Sequence, residues 1–232
     1  MPDIPRRSLA AGAGLLVGAM ALKAGAQQIP QIASATGGPK FRVQPLTFNP
    51  EKISGLSAKL IASHHDNNYA GAVKRLGSIA ATLAGLDPAT APAFTLNGLK
   101  REELIAWNSM VLHELYFENL GAPSRPGVKL AGALERDFGS VGRWTAEFAA
   151  MGKALGGGSG WVILTYSHRD GRLMNQWAAD HTMSLAAAAP ILVLDMYEHA
   201  YAIDYGAKAG AYVDAFMAAI NWPAADQRFD RS

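Results

Sequence analysis

The strongest constraint on this chain is a short run near its C-terminus: four apolar residues at 191–194, then Asp195, then Glu198 and His199. Ile, Leu, Val and Leu in succession suit a buried strand. Asp195 then stands at the end of a buried element, where an ionised carboxylate without a partner is strongly disfavoured. A metal ion is an effective partner, and His199 lies close enough in sequence to share it. Asp195 alone could equally cap the helix that follows it. The spacing makes it worth asking whether the rest of the chain supplies further ligands.

The supply is limited. The chain has no cysteine and six histidines, so a metal can be held only by imidazoles and carboxylates. Disulfides, thiolate sites and a cysteine nucleophile are excluded with it. Half of the 232 residues are hydrophobic, enough for a substantial core in one domain or two small ones.

The first 26 residues read as an export signal. Arg6 and Arg7 precede an uncharged stretch at 8–22, and Ala24-Gly25-Ala26 offers a small-residue cleavage site. The paired arginines point to twin-arginine export, and the stretch is short and glycine-rich for a permanent membrane helix. Cleavage near Ala26 leaves a periplasmic or extracellular protein with no stable membrane association. The segment carries Arg6, Arg7 and Lys23 against Asp3, so the overall charge of +2 belongs to the signal and the remainder balances. No basic field remains to recruit nucleic acid.

Along the remainder, residues 27–50 form a Gly/Pro-punctuated lead-in. The pattern predicts a long helix over 57–86, a proline-containing connector, and a second helix over 100–120 with Glu102 and Glu103 in its first turn. Pro123 and Pro126 mark a boundary between a helical domain at 41–121 and an α+β domain at 127–232. The latter has helices at 129–138 and 140–155, a strand over 161–167, a turn at 169–171, strands over 172–177 and 190–195, and a closing amphipathic helix at 208–220. The expected class is α+β: an antiparallel pair of long helices, then a small three-stranded antiparallel sheet with helices, with the metal between the two halves.

Helical periodicity extends the constellation. Met110, His113, Phe117 and Leu120 recur at spacings of three and four, so His113 belongs to a buried face. Leu60, His64, Asn68, Ala72 and Leu76 step by four and form one stripe. With Asp195 and His199 this makes three imidazoles and one carboxylate, a set suited to redox-capable iron or manganese with a position open for a small ligand.

At this point the chain resembles the iron/manganese superoxide dismutases. Asp195-Met-Tyr-Glu198-His199-Ala-Tyr201 is similar to that family's signature Asp-x-Trp-Glu-His-Ala-Tyr, with Tyr197 in place of tryptophan. Gly158-Ser-Gly-Trp161, His113 followed by Tyr116 and Phe117, and Asn221-Trp222 fall in the family's order, and the likeness runs over residues 41–222. The resemblance implies that His64, His113, Asp195 and His199 hold one iron or manganese ion. It places Glu198, Trp161, Tyr201 and Asn68 around those ligands, with Trp161 as an aromatic wall. It also implies a homodimer in which Glu198 reaches the metal-ligand histidine of the other subunit, and superoxide as the substrate.

The chain departs from the family around the metal. Asn68 stands where the family has a gateway histidine, Ala72 where it has a tyrosine one turn on, and Ala202 where a tyrosine approaches from the other subunit. A glutamine that bonds the metal-bound solvent comes in the family either from the second helix, where Ser109 stands here, or from the sheet. Gln176 or His181 could replace it, unless His181 is a surface loop residue. The expectation is a dismutase converting superoxide to oxygen and hydrogen peroxide, with nothing catalytic beyond the metal and its bound solvent. The alternative is a metal-binding protein on the same scaffold that is not a dismutase.

Overall fold

The structure, a computed structural model, describes residues 41–232, so the expected export signal lies outside the described residues. Helix α1 (Ala58–Ser63) begins at Ser57, whose hydroxyl accepts the Leu60 N–H at 3.0 Å. The same serine donates its N–H and its hydroxyl to the Asp204 carboxylate at 2.7 and 2.6 Å. The start of the first helix is thereby tied to the segment just after His199.

The long helix predicted for 57–86 is interrupted. After α1 the chain widens into a π-helical segment, His64–Tyr69, before α2 (Ala70–Ala84). π-turns inside α-helices are frequent at functional sites. The widened turn breaks a strict step of four: Leu60, His64, Ala72 and Leu76 are buried, while Asn68 is half-buried.

Helix α3 (Ala93–Glu118) packs along α2 and starts seven residues before the expected position. Pro92 accepts the first backbone bonds through its carbonyl and needs no N–H there, so the prolines open the helix instead of extending the connector. Glu102 and Glu103 consequently lie well inside it. Helices α4 (Val128–Phe138) and α5 (Val141–Ala154) follow close to expectation.

The sheet has the order β2-β1-β3 and is antiparallel throughout, with β1 (Trp161–Ser167), β2 (Arg172–Ala178) and β3 (Ala188–Asp195). Buried residues 161–165 and 191–195 explain the near-continuous apolar runs. Pro190 is accommodated because β3 is an edge strand and the register shifts at Leu164/Thr165 opposite it. Register pairs Trp161 with Asp195, so the indole and the carboxylate emerge side by side. Gly160 makes this possible: its φ is +135°, and a Cβ there would sit 2.2 Å from the Ala178 carbonyl oxygen.

After β3 come a 3₁₀ turn (Glu198–Ala200), the short α6 (Ala202–Tyr205) and α7 (Ala209–Ala218). The chain does not close with this helix, as the pattern predicted. A further helix, α8 (Trp222–Phe229), starts with a proline in its first turn. Its Arg228 guanidinium donates to the Ile191 carbonyl at 2.8 Å and to Glu118 at 2.7 Å, and it also bonds Asn119. One side chain thus clasps the middle of β3 to the end of α3. Among the described residues no helix is long and apolar enough to cross a membrane.

Candidate metal centre

These elements bring four side chains to one point. Asp195 Oδ2 lies 3.2 Å from His64 Nε2, 3.2 Å from His199 Nε2 and 3.6 Å from His113 Nε2. The His113 and His199 Nε2 atoms are 3.4 Å apart, and all four donor atoms lie within 4.8 Å of one another. Such separations are those of donors sharing a single ion at about 2 Å each. His64 comes from the π-helical segment, His113 from the middle of α3, Asp195 from the end of β3 and His199 from the 3₁₀ turn.

Asp195 serves two purposes with its two oxygens. Oδ1 accepts the Tyr197 N–H at 2.8 Å, just ahead of the turn, leaving Oδ2 for the imidazoles. Its backbone carbonyl accepts the Tyr212 hydroxyl at 2.7 Å, with the Tyr116 hydroxyl 3.3 Å beyond.

The electrostatics prepare the group for a cation. Burial would push the Asp195 carboxyl up, but hydrogen bonds with His199 and His64 outweigh it and hold the group well below the carboxylate range. Burial pulls His113 down to about 3 and lowers His64, with Asp195 offsetting only part of the effect in each. The buried imidazoles are therefore neutral near pH 7, each with a lone pair to give. For His113 the tautomer is defined: Nδ1–H donates to the Ser109 carbonyl at 2.6 Å, leaving Nε2 unprotonated toward the cluster. The chemistry of the donor set, three imidazoles and one ionised carboxylate, fits a resident iron or manganese ion.

An aromatic box surrounds three sides. Trp161 stands edge-on to His113 at 5.3 Å, and Tyr116 and Phe117 pack on His64 at 4.9 and 5.0 Å. The fourth side is open, because the His199 side chain is 25% exposed. Glu198 is exposed beside it, and its carboxylate makes no hydrogen bond within the chain among the described residues. Ala202 is exposed nearby and Ala72 is buried. Tyr201 is buried behind the site, stacked on Tyr212 at 5.4 Å, and its hydroxyl accepts the Gly157 N–H.

His181 is not the surface loop residue that one reading of the sequence allowed. It is half-buried, its Nδ1 accepts the Trp161 indole N–H at 3.0 Å, and its ring stacks on Tyr197 at 4.9 Å. Tyr197 stacks in turn on His199 at 5.4 Å. Desolvation lowers the His181 pKa, so this imidazole too is neutral, with its proton on Nε2. Gln176 instead spends its amide on the loop, donating to the Met183 carbonyl and accepting from Leu185 N–H. Sequence reasoning missed Tyr212, which lies 17 residues beyond Asp195 and shows nothing to distinguish it from any buried helix aromatic.

Residues 126–228 match the family described as iron/manganese superoxide dismutases, C-terminal domain. A superoxide dismutase [Fe] of Cupriavidus metallidurans is 67% identical over 189 residues, which span 82% of this chain and 96% of the relative. A superoxide dismutase [Fe] of Aquifex aeolicus is 34% identical, over 82% of this chain and 92% of its own. A superoxide dismutase [Mn] 1 of Halobacterium salinarum is 30% identical, over 83% and 96% respectively.

Proposed function

The chain belongs to the iron/manganese superoxide dismutase family, and from that premise we propose that His64, His113, Asp195 and His199 hold one iron or manganese ion at which superoxide becomes oxygen and hydrogen peroxide. The observation that carries this reading is the convergence of four donor atoms, from four separate elements, to within 4.8 Å of one another. Iron is the favoured ion, because the relative with 67% identity is named for it.

Held by these four residues, an iron or manganese ion would supply one-electron redox chemistry. The chain's own residues do the rest. Asp195 sets the charge of the site, and the Ser109 carbonyl fixes the orientation of His113. Trp161, Tyr116 and Phe117 exclude water from three sides, so a small anion enters past His199. Peroxide formation consumes two protons, and His181 carries a donor proton on Nε2 at the edge of the site. It thereby takes the part of the solvent-bonding glutamine, its ring held by Trp161 and Tyr197.

The exposed Glu198 beside His199 supports a two-fold homodimer, in which Glu198 accepts a hydrogen bond from His199 of the partner subunit and orients it. Glu198→Ala should then give monomers in sedimentation analysis. Arg6-Arg7 and the following uncharged stretch support export, with the mature chain starting near Gln27; the N-terminal mass of exported protein checks this.

A second reading keeps the metal and drops the dismutation. It is favoured by Asn68, Ala72 and Ala202, which stand where the family has its gateway histidine and two tyrosines. Metal-free protein reloaded with iron or with manganese, then assayed for superoxide decay, separates the two. Removal of superoxide in proportion to bound metal supports the dismutase; full loading without removal supports the second reading.

A further inference from the structure

We propose that Met183 is a site of oxidation by hydrogen peroxide, and that its conversion to the sulfoxide loosens the loop that holds His181 at the edge of the metal centre. Met183 is 39% exposed, whereas Met110 and Met196 are 8% and 0% exposed, and the other described methionines are half-buried. Its sulfur is also part of the loop's construction. Sδ accepts the Ala179 N–H at 3.3 Å, closing residues 179–183 around His181.

The other fastenings of this loop are side-chain bonds that peroxide does not touch. Asp180 accepts the Thr182 N–H and hydroxyl at 2.7 and 2.5 Å. Gln176 holds the Met183 carbonyl and the Leu185 N–H, and Asn108 donates to the His181 carbonyl at 2.6 Å. The thioether is thus the solvent-facing, oxidisable fastening of a segment whose central imidazole accepts the Trp161 indole N–H.

The chemistry balances with peroxide alone. The sulfur lone pair attacks one peroxide oxygen, the S–O bond forms as the O–O bond breaks, and the departing oxygen leaves as water after proton transfer. Sulfur is oxidised by two electrons and peroxide reduced by two. The product is a polar, chiral group in place of a flexible apolar one. Oxidation draws electron density from sulfur and makes Sδ a poorer acceptor, so the Ala179 N–H loses the partner that closes the loop. The proposal rests on the dismutase reading only for the source of the oxidant, since that reaction releases peroxide beside the loop.

The test treats the full chain, metal-loaded and metal-free, with reagent hydrogen peroxide, and follows peptide masses and amide hydrogen exchange. Met183 should gain one oxygen before Met151, Met174 and Met217. Exchange over residues 179–185 should then rise severalfold, and methionine sulfoxide reductase should reverse both changes. In Met183→Leu, peroxide should leave exchange in the loop unchanged. Oxidation no faster than at the half-buried methionines, or a sulfoxide at Met183 with unchanged exchange, overturns the proposal. Oxidation of Met183 by reagent peroxide, but not by a superoxide source, upholds the proposal and counts against dismutation instead.

Discussion

Removing the metal should make the protein acid-labile in a window set by its buried histidines. His113 is 1% exposed, and burial draws its pKa from 6.5 to about 3. Between those values the unfolded chain binds a proton that the folded chain refuses, so stability falls as pH falls. The contribution is fully present above about pH 6.5 and is lost progressively on the way down to about pH 3. At about 1.4 kcal/mol per pH unit, the full loss from His113 is on the order of 5 kcal/mol, comparable to the whole stability of many domains. His64 shifts in the same direction and steepens the slope. Asp195 also adds a loss, but only near and below the ordinary carboxylate range, because its folded pKa is depressed. Urea unfolding midpoints of metal-free protein between about pH 7 and pH 5 measure the slope. His113→Gln, which cannot titrate, should flatten it by about one proton's worth. A midpoint that stays constant over this range, or an unchanged slope in His113→Gln, would refute the reasoning.

Other perturbations have distinct signatures. Asp195→Asn keeps the bond from the Tyr197 N–H through Oδ1 but removes the anionic ligand, so metal content should drop by tenfold or more, about the scale of losing a ligand-orienting group or worse, while far-UV circular dichroism is retained. Gly160→Ala places a methyl against the Ala178 carbonyl at a strained φ, and it should cost several kcal/mol, on the scale of ~2–5, in urea unfolding. Tyr212→Phe loses the hydroxyl bond to the Asp195 carbonyl and should cost about 1–3 kcal/mol, seen as a lowered thermal midpoint with the metal still bound.

Much of this site is legible in the sequence because its signals are local. A run of four apolar residues ending in Asp195 suits a buried strand, and His113 keeps its spacing from Met110 and Phe117 within α3, while Leu120 lies just past the helix end. The π-helical segment is different: its residues look helical, and widening by one residue per turn leaves no trace in apolar periodicity. Asn68 therefore moves off the stripe on which a step of four had placed it. The early start of α3 and the extra helix α8 were hidden by prolines, which open a helix as readily as they end one. His181 could not be placed from sequence because its position depends on Trp161, 20 residues away, and on a loop closed by side-chain bonds. Tyr212 acts through a backbone carbonyl, a contact that no residue type advertises.

On this reading the four converging donors hold a redox ion that removes superoxide. Elemental analysis of the native protein, combined with superoxide decay measured on the same sample, tests it most directly. One iron or manganese per chain is expected, with decay that scales with metal content and is abolished in Asp195→Asn. Zinc or copper as the native ion, or stoichiometric iron or manganese with no superoxide removal, would contradict it.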